Sequence, residues 1–492
     1  MWGRLKGVLV QITIEPMLFL GAFSTILTLV PQNQLILYKT CLVPEFELSE
    51  EFCQQINQNA NTTEYQDLIE PAVAQFNVIK DVVAHAVPIF LAFYLGAWSD
   101  HFGRKPLLYT TQVGKVISAA FAVLNVYFIA WSKEVYLVTV ILPEALTGGY
   151  LAYLMAAHSF IADNTKPSDR TFRLSLAGFC WGFANPIGTL LGAIMFSQGG
   201  YKCVYAARFV AILSTCILFI LRLWKFEENV VRLRKEAILL GDIPIKSSLK
   251  SLLHPKHIID SVQTVFRRRG QNKRAFLLLI LVMILFFVFT VDGEQAVQYL
   301  YVVRIFTWGV NEYSAYTTVS SLISSCGMLV AMPIFHFFKV PDMVVTFVAT
   351  ILLIIGKLLM GTIGKTWTFY AYSCMNVLLG FLLPAMRSVI SKCVTQEELG
   401  KIFAMLSSCE AIVPILGSLL YSNVYLLTAE SNYPGTIFLT SAGFLMINLL
   451  FTTCILAALK GRNISTTTNY PAPKMNLAEI VETPTFVART SL

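Results

Sequence analysis

The sequence predicts an all-α membrane protein with twelve transmembrane helices in two six-helix halves. Three observations carry that expectation. The 492 residues are 56% hydrophobic and only 13% charged, whereas soluble domains carry about 25% charged residues. Stretches such as 275–291 and 344–360 are apolar on every side, as a crossing of roughly 20 residues through a bilayer requires. The charges, finally, are sorted by loop. Thirteen Lys and Arg lie between Arg222 and Arg274, while between Lys39 and Glu70 seven acids stand against one cation, Lys39. The positive-inside rule puts the first segment in the cytosol and the second outside. The net charge of +8 therefore reports topology and does not suggest a nucleic-acid partner.

The apolar runs give spans at 9–37, 72–98, 106–131, 135–162, 171–197, 203–224, 273–303, 312–338, 342–362, 366–392, 398–426 and 434–459. Residues 1–224 then form a first six-helix bundle with an external loop at 38–71. A basic cytosolic linker at 225–272 lies against the anionic inner leaflet. Residues 273–459 form a second bundle, and 460–492, rich in Thr and Pro, a disordered cytosolic tail. Six spans, a linker and six more spans is the pattern of two parallel repeats, and it leaves both termini cytosolic. Asn61-Thr-Thr in the external loop is a glycosylation acceptor on the correct side. Cys41 and Cys53 share that loop, where a disulfide is chemically permitted; a bonded pair and two free thiols both fit the sequence. The chain ends Thr490-Ser491-Leu492, a pattern that strand-adding peptide-binding domains read, so such a domain is a candidate partner.

Ionisable groups inside a bilayer cost at least about 2.5 kcal/mol and as a rule face a cavity or a partner. Five carboxylates are therefore candidates for proton coupling: Glu15, which precedes Pro16; Glu144 and Glu410, both close to midplane; and Asp292 and Glu294, in an Asp-Gly-Glu run that reads as a flexible break in the seventh span. Arg387, Asp81 and His85 are the candidates for binding substrate. Asp81 and His85 share a helix face with Asn77 at four-residue spacing. Plain structural roles compete with these: a packing network for Glu15, an inner-gate salt bridge for Arg387, and pairing of Lys80 with Asp81. A carboxylate in the cavity takes up a proton at the acidic face and, once neutral, crosses more cheaply. There is no Walker loop, no H-E-x-x-H and no metal-spaced Cys/His cluster. No enzyme, metal or cofactor is expected; the expected partners are a small-molecule substrate, protons and the lipid bilayer. Along the fifth span Gly178, Gly182, Gly188 and Gly192, with Pro186 among them, suit close packing or bending.

Gly96-Ala-Trp-Ser-Asp100-His-Phe-Gly103-Arg104-Lys105-Pro106 joins the second and third spans. Gly96 and Gly103 permit a tight turn, Asp100 can cap a neighbouring helix, and Arg104 stays at the inner headgroups. The run resembles the G-x-x-x-D-x-x-G-R-[KR] turn of major facilitator transporters. Four further stretches are Ile14-Glu15-Pro16-Met-Leu-Phe-Leu, Leu95-Gly-Ala-Trp-Ser-Asp100, Ser159-Phe-Ile-Ala-Asp163 with Arg170-Thr-Phe-Arg173, and Pro384-Ala-Met-Arg387-Ser-Val-Ile-Ser-Lys392. Together they resemble the proton-coupled folate transporter family, which also contains the thymic stromal cotransporter. The resemblance implies the major facilitator fold and alternating access around a central cavity. It also implies proton-driven symport of an organic anion or similar solute (folate-like, glycopeptide or conjugate) at the plasma or an endolysosomal membrane. It carries gating roles onto Asp100 and Arg104 and a substrate-linked role onto Arg387. The chain departs from the family at Gly149, Gly178 and Val291, where the folate transporter has a carboxylate, a glutamate and a histidine, and so reads as a divergent member. A pH-independent facilitator or exchanger, and a non-transporting receptor on the same fold, are the alternative functions.

Overall fold

Glycine and proline positions decide where the apolar runs become separate or broken helices. The computed structural model describes residues 13–43, 46, 48–49, 52–54, 63–165, 167–223, 263–267, 273–338, 340–394, 396–429, 433 and 435–460. Among them are α1 (Glu15–Cys41), α2 (Thr63–Phe102), α3 (Lys105–Tyr127) and α4 (133–163). One helical stretch, Pro167–Leu223, is broken at Gly200 (φ 60°, ψ −156°) into α5 (167–199) and α6 (201–223). After the linker come α7 (Lys273–Phe306), α8 (Val310–Phe337), α9 (Asp342–Ile363), α10 (366–393), α11 (Gln396–Ala429) and α12 (Thr436–Lys460). The described residues thus hold twelve long helices and no strand, with ten stretches long and apolar enough to cross a membrane. Large apolar side chains point outward from them, Phe90, Leu221, Phe337 and Leu427 among the most exposed. Lipid satisfies these, because the bilayer interior is as apolar as the side chains themselves.

Two helices break near the middle of the membrane. In α1 the helical hydrogen bonds lapse at Leu27–Thr28, one turn before Pro31, whose ring cannot donate back into the preceding turn. In α4, Pro143 follows a π-helical turn at Leu137–Ile141, and the chain then turns through Gly148 (φ 96°) and Gly149 (φ 58°). A Cβ at Gly149 would lie 2.9 Å from Pro88, so the glycine also lets α4 close on α2. Broken helices at this depth are tolerated where they line a cavity or are covered by protein.

Asp292-Gly293-Glu294 is not such a break. Contrary to the expectation from sequence, α7 runs unbroken through it. A Cβ on Gly417 of α11 would sit 3.0 Å from the Gly293 Cα, so this glycine pair sets the closest approach of α7 and α11. The glycines of α5 divide. Gly188 and Gly192 pack against Ile26 and Leu27 of α1, whereas a Cβ at Gly178 or Gly182 would meet nothing within 4 Å. α5 therefore shows one small-residue edge to α1 and another to open space.

The first bundle has a core of small and aromatic residues, with Ala152, Tyr153, Ala156, Ala157 and Phe160 of α4 against Leu107 and Leu108 of α3. The second core centres on α7, α9 and α12 but reaches across to Val30, Ile36, Cys41, Ile69, Val73 and Phe76 of α1 and α2. The two bundles thus share one apolar cluster on their outer side. Val265, in the short turn 263–266, is buried in the same cluster and anchors the end of the linker. Cys41 and Cys53 are bonded, with Cα atoms 5.7 Å apart, tying the C-terminal end of α1 to the segment that follows it. Closing a loop of this size stabilises by about 3 kcal/mol on the chain-entropy account. Asn61, Thr490, Ser491, Leu492 and most of the linker and tail lie outside the described residues.

Candidate functional site

Between the bundles, at mid-membrane depth, α2, α7, α10 and α11 bring charged groups together. Asp292 is fourteen residues from the outer end of α7, and Glu410 fourteen from the inner end of α11. At 1.5 Å per residue each is about 21 Å in. Asp292 lies within electrostatic reach of both Glu410 and, across the bundle interface, Asp81 of α2. Arg387 of α10 donates from Nη2 to both oxygens of Glu410, each at 2.8 Å. Its side chain stays 43% exposed against 16% for Glu410, so the cation faces open space. From α4, Tyr150 approaches Asp292 and Arg387, and His158 approaches Arg387. Gly178 and Gly182 leave room on the α5 side.

The three carboxylates differ in their partners. Asp81 is 3.8 Å from the Lys80 ammonium, which also donates to Asn77 Oδ1 at 3.3 Å. Glu410 has Arg387. Asp292 has neither an ion pair nor a hydrogen bond among the described residues. His85 is less available than its spacing suggests, because its Nδ1 lies 2.8 Å from the Asp81 carbonyl, one turn back, and can bind it locally.

The remaining sequence candidates are held elsewhere. Glu15 accepts from Arg173 Nε at 2.8 Å and from the Thr13 and Ile14 backbone N–H groups. Arg173 also reaches Thr13 and Thr165. This clamp joins the start of α1 to the α4–α5 turn. Glu294 sits inside the second bundle, 2.6 Å from Lys357 Nζ, and accepts from Ser441 and Gln298 as well. Glu144 is 3.9 Å from Arg208 of α6, inside the first bundle. In the α2–α3 turn Gly103 has φ 93°, the conformation the glycine supplies. Arg104 donates to Ser99 Oγ at 2.6 Å. Gly96 and Asp100 lie on the last turns of α2, and the Asp100 side chain is outside what the structure describes.

The structure adds an element that charge counting missed. Glu70, buried near the outer end of α2, accepts from Arg304 of α7 and from Tyr425 of α11, both at 2.8 Å. Below it Asn77 donates to the Ala296 carbonyl, Tyr299 to Gln34, and Thr189 meets Thr318. These hydrogen bonds join the two bundles over the half of the interface that holds Glu70. The available signal was Arg304, a cation at the outer end of a span where the positive-inside pattern does not put one. Glu70→Gln should loosen this latch. Hydrogen bonds to a charged group contribute about 1.5–3 kcal/mol, a shift of roughly 10- to 100-fold toward an outward-facing population. A cysteine introduced for Asn77, two turns below, should then react faster with a membrane-impermeant thiol reagent added outside; an unchanged rate would deny Glu70 the latch role.

Comparison with known proteins follows the same lines. Residues 82–418 match the family model described as Major Facilitator Superfamily. The probable peptidoglycan muropeptide transporter SLC46 of Drosophila melanogaster is 27% identical over 451 residues, covering 89% of this chain and 84% of that protein. The lysosomal proton-coupled steroid conjugate and bile acid symporter SLC46A3 of Gallus gallus is 22% identical, covering 89% and 92%. The proton-coupled folate transporter of Rattus norvegicus is 23% identical, covering 90% and 91%. Among solved structures, the human organic anion transporter MFSD10 aligns with a TM-score of 0.59 at 15% identity, over 89% of this chain and 98% of that one. The peptide transporter POT in complex with sulfate aligns with a TM-score of 0.58 at 13% identity, covering 91% and 96%.

Proposed function

We propose, for a chain that belongs to the SLC46 family of the Major Facilitator Superfamily, a proton-coupled symporter that carries an organic anion or zwitterion by alternating access. A member of this family is a membrane carrier and not an enzyme. The observation that carries the finer reading is Asp292: a carboxylate between the bundles, with no ion pair among the described residues, facing Asp81 and Glu410. Protonating it removes one negative charge from a cluster of three, and that change is largest when the outer or lumenal side is acidic. Arg387 is the complementary group. Its exposed guanidinium can take an acid group of the solute in place of, or beside, Glu410. Binding that differs between the inward and outward states is what lets a ligand shift them.

The named cargoes of the relatives suit this reading, since the muropeptide, folate and steroid-conjugate carriers all move organic solutes. For this chain the proposal extends to two six-helix bundles joined by the cytosolic linker 225–272, both termini in the cytosol, and the plasma or an endolysosomal membrane. The second reading, carriage without proton coupling, draws on Glu15, Glu294 and Glu410 each being paired with a cation. Tracer uptake of muropeptides, folates and steroid sulfates against external pH tests the choice. Uptake of one class should rise as pH falls, and Arg387→Ala should raise its KM. Saturable uptake that is flat from acid to neutral pH would favour the second reading.

A further inference from the structure

The two bundles each bury a lysine near the bilayer centre, and only one of the two is compensated. In the second bundle Lys357 has Glu294 at 2.6 Å, with Gln298 and Ser441 taking up the rest of that carboxylate. In the first bundle Lys115 of α3 is 2% exposed and has no hydrogen-bond acceptor among the described residues, its ammonium lying 4.0 Å from the Tyr153 ring centre. Arg208 of α6, 4% exposed, shares the same interior. Two cations face one carboxylate, Glu144, which reaches Arg208 only at 3.9 Å. One positive charge is left over where an unpaired charge is expensive.

The same place holds unused donors. Arg208 Nη1 donates to Thr28 at 3.2 Å, but its Nε–H has no acceptor. The Tyr136 hydroxyl faces both the Tyr205 hydroxyl and the Arg208 guanidinium. Both phenol oxygens are buried, and neither makes a well-formed hydrogen bond among the described residues. Buried polar groups are nearly always satisfied, so three orphaned donors around one guanidinium call for an acceptor. We propose that this interior binds a small monovalent inorganic anion, a halide, held by Arg208 Nε–H and the two tyrosine hydroxyls and balancing Lys115. The charge sets the valence at one. The site's enclosure and its single-point donors favour a compact ion over a phosphate or an organic acid. Glu144 lies 3.9 Å from Nη2, the nitrogen that shares an edge of the guanidinium with Nε–H, and so borders the site.

The test uses the purified full-length chain in nanodiscs, with sodium chloride or bromide exchanged for sodium gluconate at constant ionic strength. A ligand bound only by the folded state stabilises it by mass action, so Tm should rise by about 3 °C in either halide at a hundredfold excess over Kd. Tyr136→Phe with Tyr205→Phe should remove that response. Lys115→Met, which deletes the surplus charge, should also remove it and raise Tm in gluconate toward the wild-type value in chloride. Bromide should give an anomalous peak within hydrogen-bond reach of Arg208 Nε. Equal wild-type Tm in chloride and gluconate would overturn the proposal, as would a full halide response in Lys115→Met; the wild-type titration decides it even where a variant does not fold.

Discussion

Asp292→Asn should flatten the pH profile of uptake while leaving the carrier at its membrane. Asparagine keeps the size of the side chain and cannot ionise, so the variant mimics the protonated carrier at every pH. In the native chain Asp292 faces two further carboxylates, Asp81 and Glu410, and a proton on it removes one negative charge from that group. Of the three, Asp292 alone has no cation or hydrogen bond among the described residues, so its proton costs no ion pair. A proton held one pH unit more tightly in one state than in the other is worth about 1.4 kcal/mol, a factor of ten in the population it favours. Uptake driven by an acid gradient should therefore fall by about tenfold, and exchange of labelled for unlabelled solute, which needs no net proton movement, should survive. An Asp292→Asn carrier that still accumulates solute steeply with falling pH would move the coupling to another carboxylate, Glu144 first.

How much of this was legible in the sequence depends on whether the information was local. The helical class and the succession of long apolar helices follow from apolar length, which is a local property. The fates of Asp292 and Glu294 are not local. Two residues apart on a helix is a rotation of about 200°, so one faces the gap between bundles and the other faces Lys357, 63 positions away. Read as one motif, they suggested a hinge; Gly293 between them packs on Gly417 instead. The partners of Glu15 and Glu70 are equally remote, at sequence separations of 158 and 234. Glu70 counted as a loop acid because the second span was placed from 72, whereas α2 begins at Thr63 and carries the acid inside the interface. Arg387 with Glu410 was half-visible: Glu410 stood out by its depth and Arg387 by the family resemblance, and their contact came only from the crossing of α10 and α11.

Lys357→Met should be the most damaging single change to the fold. It leaves the Glu294 carboxyl inside the second bundle without its cation, with Gln298 and Ser441 as its remaining donors among the described residues. Removing one member of a buried pair costs about 3–5 kcal/mol, a large part of the roughly 5–15 kcal/mol that usually separates native from unfolded chains. Glu294→Gln should cost less, because Lys357 keeps the faces of Tyr372 at 4.1 Å and Phe438 at 5.7 Å as partial compensation. Their combination, Lys357→Met with Glu294→Gln, leaves no charge to strand and should recover most of the loss. The order of Tm and of membrane expression should therefore be wild type, then the double variant, then Glu294→Gln, with Lys357→Met lowest. If the double variant fell below both singles, the pair would be a net source of stability and not merely a matched charge. If Lys357→Met equalled wild type, Glu294 would already be neutral in the folded carrier, and its contact with Lys357 would be an ordinary hydrogen bond.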